Sequence, residues 1–276
     1  PMADDNFQQC ECTVLLNECL KGLYWRMRLD APGICASARP GQFVHLLLPA
    51  LEGHVLRRPF SICDVQGNTL TLVYKTVGEG TRSMTSIPTG TSLDLLGPLG
   101  HGFTAFSGRR PSLLLGGGYG CAAMLFAARR LVEAALPPPV VLLGARTRED
   151  ILLVQEFEEL GCTVRISTDD GSCGVRGRIT LLLEEELEKN PYDICITSCG
   201  PRPMLEAVAR LAATRTDCKC EVSLDERMCC GVGACFGCVL KVKDASAPEG
   251  WKYLRSCKEG PVFNAAEILW RDDTGA

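Results

Sequence analysis

The sequence predicts three consecutive parts: an all-β domain over 1–104, an α/β domain over 105–224 and a small cysteine-rich domain over 225–276. Short segments rich in β-forming residues, separated by Gly, Pro and Asn, fill the first hundred residues and are typical of a barrel or sandwich. From Ser112 onward strand and helix patterns alternate, which indicates crossover connections within a parallel sheet. Closely spaced cysteines mark the third part.

The composition is that of an ordinary globular protein and argues against several classes of function. The 276 residues are 46% hydrophobic and 22% charged, which is enough apolar material for a core. A net charge of −4 argues against nucleic-acid binding, and no apolar run approaches membrane-spanning length. The acidic, polar segment Met2–Asn6 lacks the features of a signal peptide. We therefore expect the 17 cysteines to be mostly reduced thiols in the cytoplasm.

The first part contains six predicted strands, each short and rich in β-forming residues. They are Cys12–Leu16, Tyr24–Leu29, Gln42–Leu48, Ser61–Val65, Thr69–Thr76 and Ser92–Leu96. A turn-rich stretch, Gly97–Phe103, closes this domain, and Ser107–Pro111 is a predicted linker to the next.

The second part begins with a predicted strand at Ser112–Leu115, which runs through a glycine-rich turn into a helix near Cys121–Ala135. Three consecutive prolines then end that helix. The remaining predicted elements are strands at Val140–Leu143, Thr163–Ser167, Asp193–Ser198 and Lys219–Leu224, and helices near Ile151–Leu160, Ile179–Lys189 and Pro203–Ala213.

The cysteines of the third part follow the spacing C-x4-C-x2-C at Cys230, Cys235 and Cys238, with Cys257 further along the chain. This is the plant-type arrangement of [2Fe–2S] ligands, and such a centre passes one electron at a time. Glycines between the cysteines let backbone N–H groups approach the sulfurs. The alternatives are buried free thiols or a zinc site, although zinc prefers two short C-x2-C pairs. Cys229 does not fit the spacing and is predicted to be a neighbouring free thiol.

Two motifs in the β domain are suited to binding a pyrophosphate. Arg57-Arg58-Pro59-Phe60-Ser61 places guanidinium groups beside a hydroxyl, and a guanidinium can bind two phosphate oxygens at once. Gly78-Glu79-Gly80-Thr81 offers open backbone N–H groups and a second hydroxyl. Each motif alone has an ordinary alternative, which is a surface charge for the first and a turn for the second.

Two turns of the α/β domain are candidates for binding a nucleotide. Gly116-Gly117-Gly118-Tyr119-Gly120 joins a strand to a helix, where a phosphate can reach the helix N-terminus. Cys199-Gly200-Pro201 follows a later strand, and the carboxyl ends of parallel strands face the same cleft. The alternatives are a tight turn between strand and helix for the first, and a buried cysteine before a helix-starting proline for the second. No motif of hydrolytic chemistry and no catalytic acid or base is predicted.

The order of these motifs resembles the ferredoxin–NADP reductase superfamily, in which an FAD-binding barrel precedes a pyridine-nucleotide domain. R-P-F-S and G-x-G-T in the first domain, with G-G-G-x-G and C-G-P-x-x-M in the second, carry the likeness. The cysteine motif and S-C-K-E-G-P-V-F narrow it to the electron-transfer subunits of NAD-linked, type B dihydroorotate dehydrogenases. The segment Gly97–Phe103 is also similar to G-P-L-G-N-G-F of that family, with His101 in place of Asn.

By this resemblance the chain uses FAD, a [2Fe–2S] cluster and NAD(H). The site residues expected are Arg58, Pro59, Phe60, Ser61, Val73, Tyr74, Lys75, Gly80 and Thr81 for FAD; Gly116, Gly117, Gly118, Gly120, Cys199 and Gly200 for the nucleotide; and Cys230, Cys235, Cys238 and Cys257 for the cluster.

The resemblance also implies a function and a partner. Electrons from dihydroorotate, oxidised to orotate on an FMN-containing catalytic subunit, would pass through the cluster and FAD to NAD+ in pyrimidine biosynthesis. The expected assembly is a cytoplasmic heterotetramer. Two other enzyme functions stay open: a stand-alone NAD(P)H reductase serving a ferredoxin or an oxygenase, and an electron-transfer subunit of another flavoprotein. A non-enzymatic iron–sulfur sensor would leave the FAD and nucleotide motifs without a purpose.

Overall fold

The computed structural model describes residues 7–48, 56–104, 111–190 and 193–270. Seven strands of the first part form one antiparallel sheet in the order β4-β3-β7-β1-β2-β6-β5. The strands are β1 (Gln8–Lys21), β2 (Tyr24–Asp30), β3 (Phe43–Leu46), β4 (Arg58–Ser61), β5 (Asp64–Gln66), β6 (Thr69–Lys75) and β7 (Ser92–Leu99), and two short helices accompany them, α1 (Pro32–Ser37) and α2 (Glu79–Met84). β4 contacts β6 although four strands lie between them in the sheet. The sheet is therefore curled, as the predicted barrel requires.

The prediction of a single strand over Ser61–Val65 is wrong. Ser61 ends β4 and Asp64 begins β5, and these two strands lie at opposite edges of the sheet. Ile62 and Cys63 connect them, with the Ile62 N–H donating to the carbonyl of Gln42 at 3.1 Å. Both connecting residues are buried, so their apolar side chains resemble a strand in sequence although the chain is changing edges there.

The second sheet has the order β11-β10-β9-β8-β12-β13-β16, and its strands are parallel apart from the edge strand β16 (Val262–Asn264). Its parallel strands are β8 (Ser112–Gly117), β9 (Val140–Ala145), β10 (Thr163–Thr168), β11 (Val175–Arg176), β12 (Ile194–Cys199) and β13 (Cys218–Ser223), and its helices are α3 (Cys121–Glu133), α4 (Val154–Glu159), α5 (Ile179–Lys189) and α6 (Arg202–Ala212). The predicted α/β fold is confirmed. Most of the linker predicted at Ser107–Pro111 lies outside the described residues.

The C-terminal segment folds onto the α/β domain. β14 (Val239–Lys243) and β15 (Trp251–Arg255) form a hairpin, and β16 (Val262–Asn264) pairs antiparallel with β13. Leu240, Val242 and Phe263 are buried in the same apolar cluster as α5 and α6. This segment therefore uses the core of the neighbouring domain in addition to its own cysteines. The division of the chain at residues 104 and 224 stays a prediction.

The curled sheet and the parallel sheet are joined by packing and by a partly buried ion pair. Phe126 of α3 is fully buried within the apolar core of the curled sheet. One turn further along α3, Arg129 Nε donates to the buried Asp64 Oδ1 at 2.7 Å. These contacts fix one domain against the other. Within the described ranges, no helix is long and apolar enough to cross a membrane.

Candidate cofactor cleft and cysteine pairs

A cleft of about 200 Å³ opens between the two sheets. Seven residues predicted to bind the flavin line it, namely Pro59, Phe60, Ser61, Val73, Tyr74, Lys75 and Thr81. β4 and β6 supply all of them except Thr81, which lies in α2. The rings of Phe60 and Tyr74 pack edge to face, with their centroids 6.1 Å apart. An apolar wall with a few polar groups is suited to a flat organic ring.

Apart from Val77, which follows β6, the other lining residues come from distant parts of the chain, and sequence reasoning missed all of them. They are Phe43, Val77, Tyr119, Ala122, Ser223, Leu224, Asp225, Met228 and Pro261. The Tyr119 hydroxyl donates to Asp225 Oδ2 at 2.9 Å, which joins the glycine-rich turn to the segment after β13. An aromatic residue within a run of glycines was the one local signal, because the remaining residues meet only through the tertiary fold.

The two adjacent arginines have different surroundings. Arg57 Nη2 donates to Asp94 Oδ2 at 2.7 Å, and Arg57 Nη1 donates to the Asp94 carbonyl at 3.1 Å. Arg58 Nη1 donates instead to the carbonyl of Leu56 at 2.6 Å, and within the described residues it has no carboxylate partner. Arg57 therefore binds Asp94 of β7, whereas the Arg58 guanidinium can still bind an anion.

Arg58→Ala is expected to weaken FAD retention, because it removes a charge-assisted contact worth about 1.5–3 kcal/mol. The measurement is the FAD content that remains after gel filtration. Arg57→Ala is the matched control, since it should lower thermal stability by breaking the contact with Asp94 while FAD stays bound. Equal FAD affinity in wild-type and Arg58→Ala protein would show that the assignment of Arg58 is wrong.

Lys75 lines the cleft and also ties the two domains together. Its Nζ donates to the Tyr24 hydroxyl at 2.9 Å and to Asp150 Oδ1 at 3.0 Å. The Tyr24 hydroxyl donates to the same Asp150 oxygen at 2.5 Å. The hydrogen bond from Tyr24 lowers the pKa of the Asp150 carboxyl against the opposing effect of burial, and Lys75 lowers it further. Asp150 follows β9, so this network links the flavin-side strands β2 and β6 to the nucleotide domain.

The glycine-rich turn packs closely against the turn that follows β12. A Cβ on Gly117 would lie 2.5 Å from Met204 Sδ, and a Cβ on Gly120 would overlap the carbonyl of Cys199. A Cβ on Gly200 would lie 3.0 Å from the Cα of Gly117. Cys199 itself is buried, and burial raises the pKa of its thiol to about 12. The two predicted nucleotide motifs are thus brought together, with their glycines filling the contact between them.

Gly118 is the exception within this turn. A Cβ on Gly116 would lie 2.6 Å from the Cα of Cys121, whereas Gly118 has a φ of +54° and open space around it. Close packing therefore explains Gly116, Gly117 and Gly120, and Gly118 is the position that leaves room for a ligand. The nucleotide-binding role of the full set of glycines stays a prediction.

The four predicted cluster ligands form two pairs. The Cys230 thiol lies next to that of Cys235, and the Cys257 thiol lies next to that of Cys238. The Cys257 N–H also donates to Cys238 Sγ at 3.4 Å. A [2Fe–2S] cluster takes four cysteine thiolates, two on each iron. Within the described chain no three His, Cys, Asp or Glu side chains converge on a single ion, and two pairs of thiols fit two irons.

The loop around Cys230 favours a thiolate. Burial raises the pKa of this thiol, but the backbone N–H groups of Cys235 and Val232 donate to its sulfur and lower the pKa to about 6. Gly231 and Gly233 both have positive φ, a conformation that glycine adopts without strain. The loop therefore turns its N–H groups toward a sulfur that would carry negative charge when it binds iron.

Cys229 lies beside this loop and is exposed. Its sulfur would be 3.7 Å from a Cβ on Gly237, and the sulfur of Cys235 would be 3.5 Å from the same point. Cys229 takes part in neither pair of thiols. Its assignment as a neighbouring free thiol stays a prediction.

The cleft and the cysteines share a wall. Phe43 lines the cleft and also packs in one apolar cluster with Leu99, Cys238 and Cys257. Met228 likewise lines the cleft and packs against that cluster. A group bound in the cleft would therefore be separated from the Cys238–Cys257 pair by side chains that touch both.

Two family models match the chain. Residues 225–269 match the iron–sulfur cluster binding domain of dihydroorotate dehydrogenase B, and residues 114–210 match the oxidoreductase NAD-binding domain. The predictions of an iron–sulfur domain and a nucleotide-binding domain in these regions are confirmed. The roles of individual residues within them stay predictions.

The similarity to known proteins covers most of the chain. The electron transfer subunit of dihydroorotate dehydrogenase B (NAD(+)) from Caldanaerobacter subterraneus is 35% identical, with 93% of this chain and 97% of the relative covered. The subunit from Shouchella clausii is 39% identical over 84% of this chain and 87% of its own. A solved structure of an NADH-dependent reduced ferredoxin–NADP oxidoreductase has a TM-score of 0.79 at 27% identity, covering 94% of this chain and 90% of that one.

A further structural likeness concerns the fold alone. The ferredoxin reductase of a carbazole 1,9a-dioxygenase has a TM-score of 0.66 at 24% identity, covering 76% of this chain and 66% of that one. The predicted architecture and the predicted oxidoreductase function are confirmed by these comparisons together. With a flavin-type cleft, a NAD-binding domain and a C-terminal iron–sulfur domain in this order, the chain belongs to the family of electron transfer subunits of NAD+-dependent dihydroorotate dehydrogenase B.

Proposed function

We propose that this chain carries electrons from an FMN-containing subunit, which oxidises dihydroorotate to orotate, to NAD+ within a heterotetramer. FAD would occupy the cleft, and a [2Fe–2S] cluster would be held by Cys230, Cys235, Cys238 and Cys257. The observation that carries the proposal is the shared wall at Phe43, which contacts both the cleft and the Cys238–Cys257 pair. One-electron transfer between the two groups requires this kind of proximity.

The chain's own residues would hold and orient the groups. Arg58 and the first turn of α2, at Gly80 and Thr81, would bind the FAD pyrophosphate, while β4 and β6 enclose the ring. When bound, FAD exchanges a hydride with NAD(H) and single electrons with an iron–sulfur centre, whereas the protein supplies position and electrostatics. The network of Lys75 with Asp150 would keep the nucleotide domain in register with the flavin side. No acid or base of this chain is needed for hydride transfer.

The cluster loop offers a surface for the partner subunit. Cys235 is exposed and Phe236 is 62% exposed, whereas Cys238 and Cys257 are buried against Phe43. In this proposal the exposed residues Cys235 and Phe236 face the partner's FMN, and the buried pair faces FAD.

The test compares the isolated chain with the complete complex. Anaerobic NADH is expected to bleach the flavin absorbance of the isolated chain, because the flavin and nucleotide sites both lie within it. The isolated chain should not oxidise dihydroorotate, and an FMN-containing partner should restore that activity. Dihydroorotate turnover by this chain alone, or no bleaching of bound FAD by NADH or NADPH, would contradict the proposal.

A second candidate function is reduction of a ferredoxin. The likeness to the NADH-dependent reduced ferredoxin–NADP oxidoreductase, which covers 94% of this chain, favours it. The two functions differ in what the isolated chain can do with NADH. Rapid NADH-driven reduction of ferredoxin without any partner subunit supports the second candidate, whereas activity that depends on the FMN-containing subunit supports the first.

A further inference from the structure

His45 is a buried histidine without a hydrogen-bond partner. Its exposure is 0%, and among the described residues neither ring nitrogen is paired. Burial lowers the pKa of the imidazole, and the charge of Arg57 adds to the effect, so that the pKa falls to about 4. At pH 7 the ring is neutral, with one N–H donor and one acceptor nitrogen. Leaving a buried polar group unpaired is unfavourable, so this ring requires a partner.

The position of His45 on β3 narrows what that partner can be. Side chains alternate along a strand, so Phe43 and His45 share one face and Val44 lies on the other. Val44 belongs to the core of the curled sheet, whereas Phe43 packs with the buried cysteine pair. The rings of Phe43 and His45 are 5.6 Å apart at an angle of 57°. His45 therefore belongs to the face of β3 that the cysteine segment covers.

The cluster loop lies directly on the imidazole. A Cβ on Gly231 would be 2.6 Å from Cε1, 2.7 Å from Nε2 and 2.9 Å from Nδ1 of His45. Only a residue without a side chain allows this approach, and Gly231 is covalently bonded to Cys230. Gly231 also has a φ of +73°, which turns the loop around the Cys230 sulfur. The ring thus lies against the backbone next to the first of the four cysteines.

We propose that the N–H of His45 donates a hydrogen bond to a sulfur at the Cys230 end of the [2Fe–2S] cluster. This inference rests on the proposed function, because the hydrogen bond requires a bound [2Fe–2S] cluster. Cluster sulfurs are anionic acceptors, and hydrogen bonds to them raise the reduction potential by stabilising the added electron. The donor comes from the flavin-binding sheet, so the same contact joins the cluster loop to the domain with which it exchanges electrons.

A spectroscopic test uses the holoprotein labelled with 15N only at histidine. The chain has three histidines, so the labelled positions are His45, His54 and His101. Pulsed EPR of the reduced cluster is expected to show a weak 15N coupling that disappears in His45→Leu. The coupling should persist in the matched control His101→Leu, because His101 is exposed and its Nδ1 lies 3.4 Å from the carbonyl of Glu259.

A second variant keeps this test decisive if His45→Leu loses its cluster. His45→Gln retains a side-chain N–H donor. Its amide nitrogen is 14N, because only histidine is labelled, so the 15N coupling must vanish in this variant as well. A 15N coupling that persists in either His45 variant, or is absent from the wild type, overturns the proposal. Wild-type protein without any reduced [2Fe–2S] signal would overturn the proposed function as well, so the two failures are distinguishable.

A redox titration followed by the same EPR signal measures the consequence. At a fixed solution potential, His45→Leu is expected to lower the ratio of reduced to oxidised cluster about tenfold, the effect of losing one charge-assisted hydrogen bond. His45→Gln should recover part of that ratio because it still offers a donor. An unchanged ratio in His45→Leu protein with full iron, sulfide and FAD content would contradict the hydrogen bond.

Discussion

Serine at any one of Cys230, Cys235, Cys238 and Cys257 is expected to abolish or alter the EPR signal of the reduced [2Fe–2S] cluster. The reason is the division of the thiols into two pairs, because losing one member leaves an iron with a single thiolate of this chain. FAD should remain bound, since Arg58, β4 and β6 do not depend on the cluster. EPR with iron and sulfide analysis measures the first effect, and flavin absorbance measures the second.

The four variants should differ in stability in a way that follows from burial. Serine at Cys238 or Cys257 places a hydroxyl in the apolar cluster with Phe43, which costs about 1–3 kcal/mol if it finds no partner. Cys235 is exposed, so its serine variant should lose the cluster with little further destabilisation. Cys229→Ser is the matched control and should keep the signal. Loss of the cluster in Cys229→Ser together with its retention in Cys230→Ser would show that the ligand assignment is shifted by one residue.

Gly120→Ala is expected to destabilise the nucleotide domain strongly. Its new Cβ would overlap the carbonyl oxygen of Cys199 and lie 2.7 Å from the carbonyl carbon. Both atoms belong to the backbone of the neighbouring turn and cannot rotate away, so about 1–3 kcal/mol or more is expected from overpacking. Thermal unfolding of the FAD-loaded chain measures the effect, with a fall in Tm of several degrees expected.

Gly118→Ala is the contrasting variant within the same turn. No atom lies within 4 Å of its added Cβ, but the φ of +54° costs roughly 1–2 kcal/mol for an L-residue. Gly118 leaves room for a ligand, so an added methyl group there should interfere with NADH binding. For each degree of Tm that is lost, Gly118→Ala should therefore raise the KM for NADH more than Gly120→Ala does. A larger loss of Tm in Gly118→Ala than in Gly120→Ala would contradict the packing role assigned to Gly120.

Local sequence signals predicted much of the fold because they depend on neighbouring residues. The helix predicted at Ile179–Lys189 has those bounds in the structure, and the strand predicted at Tyr24–Leu29 differs from β2 by one residue. The cysteine spacing, with Cys257 further along the chain, predicts four ligands that the structure arranges as two pairs. Motif reasoning likewise placed three residues of β4 and three of β6 on what proves to be one cleft.

The contacts between domains were not predictable from local patterns. Phe43 and His45 occur in an ordinary strand, and no signal in their neighbourhood indicates the cysteine loop that covers them. Asp150 comes from the turn after β9 and meets Lys75 only because the domains are in contact. Likewise, β16 pairs antiparallel with β13 although the cysteine loop and the β14–β15 hairpin separate the two strands in sequence. Strand propensity alone does not predict this pairing.

The glycine-rich turn shows why a motif can be located correctly while its glycines serve more than one purpose. A nucleotide-binding turn and a tightly packed turn both require missing side chains, so the sequence cannot separate them. The structure separates them by position, since Gly116, Gly117 and Gly120 face protein atoms and Gly118 faces open space.

We expect electrons from dihydroorotate to reach FAD through the cysteine-bound cluster. Rapid-freeze EPR and stopped-flow absorbance of the complete complex, mixed with dihydroorotate without oxygen or NAD+, test it most directly. We expect the cluster signal to appear no later than the bleaching of FAD, and we expect FAD to stay oxidised in a Cys257→Ser complex that lacks the cluster. Bleaching of FAD at the wild-type rate in that variant would contradict the claim.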